Sequence, residues 1–251
     1  MKTIAIIPAR YASSRFEGKP LALLNGKPMV MWVYEAVKQS QLFDKVVVAT
    51  DDSRIFDTVQ AMNGVAMMTR ESHSCGTQRC EEVVQTLSSL GEVYDVVVNV
   101  QGDEPLINKE QLELILSCFD SDRVEIATLS KIINEEKDVT DSNVVKVVAS
   151  KGRALYFSRS PIPFTRDISL SQALEKGVFR KHIGIYAYRF DVLKEIVRLE
   201  KGDLEILENL EQLRWLENGF EIRIKDTCFE SIGVDTPEDL KRVNDLIKKN
   251  K

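Results

Sequence analysis

Arg10, Arg15 and Lys19 crowd one short stretch, PARYASSRFEGKPL (Pro8–Leu21), with the small residues Ala9, Ala12, Ser13, Ser14 and Gly18 between them. Small residues let backbone N–H groups come close to a ligand, and clustered cations suit a polyphosphate. The stretch is neither of the common phosphate loops. It has no GxGxxG, and Pro20 directly after Lys19 breaks the GxxxxGK[ST] pattern. A solvated basic loop is the plain alternative; the position directly after an apolar run favours phosphate.

Two carboxylates stand out further along. Asp103, in QGDEP (Gln101–Pro105), follows the apolar run DVVVNV, where a carboxylate is costly unless solvated, paired or metal-bound. Gly102 and Pro105 shape a turn around it. Asp235 precedes Thr236, a residue that can itself cap the last helix, so Asp235 is spare. Such a pair could bind Mg²⁺, which takes one or two carboxylates plus substrate phosphates. Roles in starting a turn or a helix stay open for both, because spacing alone does not bring them together. In ATDD (Ala49–Asp52) one aspartate suits a helix cap, which leaves the other, Asp51 or Asp52, for a base or sugar.

The second half holds SRSPIP (Ser158–Pro163), KHIGIYAY (Lys181–Tyr188) and LEQLR (Leu210–Arg214). Arg159 and His182 could form a basic pair that grips a carboxylate or hydroxyls. Glu211 and Gln212 could hydrogen-bond a polyol, or belong with Arg214 to the polar face of a helix. His182 could equally be a satisfied histidine at a strand start.

These residues need elements to hold them. The runs Thr3–Pro8, Lys45–Thr50 and Asp95–Val100 are rich in Val and Ile at successive positions, as parallel strands covered on both faces should be. Helical patterns lie between them: Met29–Gln39 entered by Pro28, Ser53 to about Met62, and Gln78–Leu90. This alternation predicts an α/β fold with a mostly parallel central sheet flanked by helices. Ligands bind at the carboxyl ends of such strands. Further strands are expected at Val144–Val148, Ala154–Phe157 and His182–Tyr188, then one long helix over Leu204–Asn218 stopped by Gly219. The last helix begins at Thr236–Pro237, with Glu238 and Asp239 beside its positive end.

Composition narrows the function. The chain has 251 residues, 34 Lys and Arg against 39 Asp and Glu, and a net charge of −5. Mild acidity speaks against a nucleic-acid coat, and no apolar run approaches the roughly 20 residues that span a bilayer. The start, MKTIAIIPAR, reaches Pro8 and Arg10 too soon for a signal peptide. The four cysteines form no CxxC pair, and with two histidines a zinc site is not expected. Reduced thiols fit a cytoplasmic protein. With no linker or repeat, residues 1–251 are expected to form a single domain.

Taken in order, IIPARYASSRFEGKPL, VATDD, HSCGTQR, VNVQGDEP, ALYFSRSPIP, KHIGIYAYR, LENLEQLR and GVDTPEDL resemble the CMP-Kdo synthetase family, the 3-deoxy-manno-octulosonate cytidylyltransferases. The resemblance covers nearly the whole chain. It implies a glycosyltransferase-A-like fold (the nucleotide-diphospho-sugar transferase fold), usually a homodimer. It further implies transfer of CMP from CTP to the anomeric hydroxyl of Kdo, with release of pyrophosphate, for lipopolysaccharide synthesis. The same chemistry on 8-amino-Kdo or another sugar acid is the alternative. By resemblance, Arg10, Arg15 and Lys19 hold the triphosphate, Asp103 and Asp235 bind Mg²⁺, and Asp51, Cys75, Gly76 and Arg79 lie near the nucleotide. Gln101, Arg159, His182, Glu211 and Gln212 line the sugar-acid pocket. The nucleotide part is expected to span about 1–130, and the sugar and dimer part about 131–251. Three positions depart from the family pattern: Glu17 for a frequent Pro, Cys75 for Ser, and Gln78 for an acidic residue.

Overall fold

The Val/Ile runs form buried parallel strands. The computed structural model describes residues 1–12, 16–121, 123–230 and 232–249. The chain divides into two compact units, Met1–Glu113 with Ser231–Lys251, and Leu114–Glu230. A division into consecutive parts near residue 130 does not foresee this return of the C-terminal segment to the first unit.

In the first unit β1 (Thr3–Ala9) is followed by a short hairpin, β2 (Leu23–Leu24) and β3 (Lys27–Pro28). Then come α1 (Met29–Gln39), β4 (Lys45–Thr50), α2 (Ser53–Ala61), β5 (Ala66–Met68), α3 (Gly76–Ser89) and β6 (Val96–Asn99). Helix α4 (Lys109–Leu116) leads onward. The strands lie in the order β5-β4-β1-β6, and all their pairings are parallel. Ile4, Ala5, Ile6 and Ile7 are completely buried in succession. Neighbouring strand residues face opposite sides, so both faces of this sheet are covered. Each fully buried Ile or Val contributes about 1.5–3 kcal/mol relative to exposure. No described helix is long and apolar enough to cross a membrane.

The second unit contains β7 (Ile126–Ile132), α5 (Glu136–Thr140), β8 (Lys146–Ser150), β9 (Arg153–Ser158), α6 (Leu170–Glu175) and β10 (Arg180–Arg189). It continues through α7 (Phe190–Ile196), α8 (Asp203–Glu208), α9 (Glu211–Glu217) and β11 (Ile222–Asp226). Here only β7 and β11 pair in parallel, while β10–β7, β10–β8, β11–β9 and β8–β9 are antiparallel. The strand pairing is therefore mixed, and the mostly parallel arrangement expected from the sequence describes the first unit alone. One reason is local. The turn joining β8 to β9 is Lys151–Gly152, with φ of 52° and 73°, and such a two-residue turn can only reverse the chain.

The long helix expected over Leu204–Asn218 is two helices, α8 and α9. Asn209 breaks it with φ 52° and ψ 50°, the left-handed conformation in which Asn is among the most tolerant residues. Glu208 is committed elsewhere: its carboxylate accepts from Ser158 Oγ at 2.5 Å and Arg159 N at 2.9 Å, and its carbonyl from Arg159 Nε at 2.8 Å.

Helix α10 (Pro237–Lys249) closes the first unit. Thr236 Oγ1 accepts from Asp239 N at 3.2 Å, and the Asp239 carboxylate accepts in return from Thr236 N at 3.1 Å. Val243 and Ile247 then bury against Leu24, Met29 and Val234. That docking fixes the backbone immediately beside Asp235.

Candidate active site

The carboxyl ends of β1 and β6 meet because their register pairs Ile6 with Asn99. Beyond them lies a cavity of about 340 Å³, walled by Arg10, Lys19, Gly76, Gln101, Asp103 and Asp235 among others. Gly18 closes the described ends of the basic loop: its N–H donates to Tyr11 O at 2.9 Å. Its φ of +67° suits glycine, and an added Cβ would lie 3.0 Å from Tyr11 Cζ. Tyr11 is held in turn by the Arg54 guanidinium, 3.3 Å from the ring centroid.

Lys19 joins the two carboxylates that the sequence could not connect. Its Nζ donates to Asp103 Oδ2 at 2.6 Å and to Asp235 Oδ1 at 3.1 Å. Burial opposes the Lys19 charge, but Asp103 and then Asp235 outweigh it and raise its pKa above the ordinary 10.5. The backbone enforces this meeting. Val234 N donates to Asp103 O at 2.9 Å. At Gly102 the loop comes so close to β1 that a Cβ would lie 2.6 Å from Pro8 O. Side-chain exposure rises from 14% at Lys19 to 31% at Asp103 and 45% at Asp235, so the group opens to solvent on its carboxylate side. Arg10 is exposed at the cavity. Arg15 lies outside the described residues.

Helix α3 presents its N-terminus to the same cavity through Gly76, whose added Cβ would touch Pro8 Cγ at 3.2 Å. A helix start of this length carries partial positive charge suited to an anion or a carbonyl oxygen. Cys75 is its N-cap residue. Gln78 has a structural use, since its Oε1 accepts from Ser74 N at 2.9 Å. Arg79, only 1% exposed, donates from Nη2 to Asp51 Oδ2 at 2.5 Å and from Nη1 to Thr69 Oγ1 at 2.7 Å. The two adjacent aspartates thus divide their work. Asp52 caps α2 by accepting from Arg54 N at 2.9 Å, and Asp51 neutralises a buried guanidinium.

The remaining predicted residues lie in the second unit. Arg159 follows β9, with its guanidinium laid on Glu208 O and Ser142 O at 2.8 and 2.9 Å. His182, on β10, packs against the rings of Phe157 and Tyr186 at 5.1 and 5.2 Å. Burial pushes its pKa down to about 3, so of the expected Arg159/His182 basic pair only Arg159 carries charge: His182 is neutral. Thr128 Oγ1 lies 2.8 Å from Ile185 O, to which it donates, and 2.9 Å from His182 Nε2. With its proton so placed, the hydroxyl accepts from His182 Nε2–H, which leaves Nδ1 as an acceptor. Glu211 opens α9, and Gln212 is buried on it. Tyr186 was not singled out from the sequence. Its phenol pKa is pushed well up, by burial first and then by the Glu211 carboxylate. The motif KHIGIYAY and the expected strand His182–Tyr188 contained it without distinguishing it.

A cytidylyltransferase family model matches residues 4–226. The 3-deoxy-manno-octulosonate cytidylyltransferase of Parabacteroides distasonis is 51% identical over 96% of both chains. That of Thermodesulfovibrio yellowstonii is 48% identical, again over 96% of both. The chain belongs to the 3-deoxy-manno-octulosonate cytidylyltransferase family. A solved CMP:2-keto-3-deoxy-manno-octonic acid synthetase in complex with CTP superposes with TM-score 0.92 at 41% identity, over the whole of both chains. A nucleotidyl transferase from Methanothermobacter thermautotroptrophicus, 15% identical with TM-score 0.65 over 100% of this chain and 99% of its own, shares the fold.

Family membership makes the charge pattern of the cavity chemically specific. Among the described residues no group of three or more His, Cys, Asp or Glu could enclose a metal ion. Asp103 and Asp235 form an open pair of hard oxygen donors already gathered around one cation, the Lys19 ammonium. This donor set fits a divalent ion that completes its shell with water and substrate phosphate, as Mg²⁺ does.

Proposed function

We propose that the protein transfers a cytidylyl group from CTP to the anomeric hydroxyl of 3-deoxy-manno-octulosonate, giving the CMP-sugar and pyrophosphate. The observation that carries this reading is the convergence of Lys19, Asp103 and Asp235 on one cavity at the β1 and β6 strand ends. The names of the close relatives and the bound CTP of the 41% identical structure support it.

In this reaction the anomeric oxygen attacks the α-phosphorus. The bond from that phosphorus to the α–β bridging oxygen breaks, pyrophosphate leaves with the electron pair, and the hydroxyl proton passes to solvent. Arg10 and Lys19 draw the β- and γ-phosphates to one side, which sets pyrophosphate as the leaving group. The α3 N-terminus at Gly76 offers backbone N–H groups to the nucleotide. Asp103 and Asp235 would hold Mg²⁺, which when bound neutralises phosphate charge and favours the ionised acceptor hydroxyl. In the second unit Arg159, His182, Glu211 and Gln212 bind the sugar acid. Arg159 supplies charge for its carboxylate, and neutral His182 accepts from a hydroxyl. No side-chain nucleophile is needed; positioning and electrostatics supply the rate.

The resemblance further implies a cytoplasmic homodimer serving lipopolysaccharide synthesis, and light scattering tests the assembly. The function is tested by pyrophosphate release from CTP with Mg²⁺. Release dependent on Kdo and matched by CMP-Kdo is the expected result. Release with 8-amino-Kdo or another sugar acid, and none with Kdo, would overturn the choice of acceptor.

A further inference from the structure

Lys146 is a lysine without any exposed surface, on β8 of the second unit. Burying an ammonium is expensive, and a strand position facing a core is ordinarily apolar. Its three N–H donors are all used: Nζ lies 2.8 Å from Asp141 O, 2.6 Å from Val144 O and 2.5 Å from Arg159 O. All three acceptors are main-chain carbonyls, so the ammonium fastens backbone to backbone.

Both fastened segments bear on the Arg159 side chain, whose Nε rests besides on Glu208 O at 2.8 Å. One is Arg159 itself, tied at its own carbonyl. The other is the 141–144 turn, gripped on both sides of Ser142, and Ser142 O is where Arg159 Nη1 rests at 2.9 Å. The Arg159 backbone N–H is fixed separately on Glu208 Oε2 at 2.9 Å. Without the ammonium the β8–β9 pairing of Lys146 with Ser158 remains, but the Arg159 carbonyl loses its tie to the 141–144 turn.

We propose that Lys146 is a positioning residue for acceptor binding: it sets the reach of Arg159 by locking the Arg159 carbonyl to the 141–144 turn. This rests on the reading above that Arg159 pairs with the acceptor carboxylate. A methionine there retains the strand packing but loses all three hydrogen bonds, whereas a glutamine retains an amide able to donate two.

The test is steady-state kinetics with Kdo and CTP on wild type, Lys146→Met, Lys146→Gln, Arg159→Ala and the Lys146→Met/Arg159→Ala double variant. Lys146→Met should raise KM for Kdo about tenfold or more, with KM for CTP changed less than about twofold, and Lys146→Gln should lie between it and wild type. In the Arg159→Ala background Lys146→Met should add less than about twofold, because both changes disable the same contact. The proposal is overturned by an unchanged Kdo KM in Lys146→Met, by a parallel rise for CTP, or by full multiplicative effects in the double variant. If Lys146→Met does not fold, Lys146→Gln is judged by the same criteria. An Arg159→Ala enzyme with normal Kdo KM sinks the parent reading and this proposal together. Impaired Arg159→Ala beside normal Lys146 variants sinks the proposal alone.

Discussion

His182 offers a stability experiment whose size follows from its surroundings. In the unfolded chain its imidazole titrates at the ordinary 6.5, while in the fold burial pushes it down to about 3. The folded pKa lies below the unfolded one, so its contribution is present above pH 6.5 and is lost as pH falls toward 3. Between those values the unfolded chain takes up a proton that the folded chain refuses. From pH 7 to pH 5 this linkage removes about 2 kcal/mol of stability, at up to about 1.4 kcal/mol per pH unit. Glutamine at this position is neutral throughout and can still donate to Thr128 Oγ1. Urea unfolding of wild type and His182→Gln at pH 7 and pH 5 isolates the effect, since the rest of the chain is common to both proteins. Wild type should lose about 2 kcal/mol more than the variant over that interval. Equal losses would mean that His182 takes its proton normally in the fold, and the neutral acceptor role assigned to its Nδ1 would fall with it.

Asp103→Asn and Asp235→Asn should each cut pyrophosphate release by at least about a hundredfold, through misplaced phosphate and acceptor, with melting temperature little changed; activity within a few-fold of wild type in either removes that residue from the reacting group. Gly102→Ala puts a Cβ 2.6 Å from Pro8 O, and the forced shift should cost about 1–3 kcal/mol by urea unfolding and lower activity as Asp103 moves. Asp51→Asn leaves the buried Arg79 guanidinium without its counter-charge and should destabilise by about 3–5 kcal/mol; a loss under about 1 kcal/mol would show that Arg79 does not depend on Asp51. Lys19→Met should weaken CTP binding by about 1.5–3 kcal/mol in calorimetry, the worth of a charged contact to phosphate.

Much of the first unit was legible without coordinates because the forces that shape it are local or periodic. Thr3–Pro8, Lys45–Thr50 and Asp95–Val100 carry Val and Ile on both faces, a pattern stable only as covered strands. Pro28, Asp52 and Thr236 announce helix starts through their own backbone and side-chain chemistry. Of the three cations singled out in the basic stretch, Arg10 and Lys19 line one cavity, and Arg15 lies outside the described residues. What lies beyond local pattern was settled by packing. Lys19 meets Asp103 across 84 residues and Asp235 across 216. That meeting depends on β1 and β6 pairing in register and on α10 burying Val243 and Ile247. The Leu204–Asn218 periodicity was intact in the sequence, yet Asn209 breaks it because Glu208 is claimed by Ser158 and Arg159 from another element. The loss of charge on His182 and the buried ammonium of Lys146 were beyond reach for the same reason. Protonation and hydrogen-bond partners follow from what surrounds a group in space, and a linear pattern does not contain its neighbours.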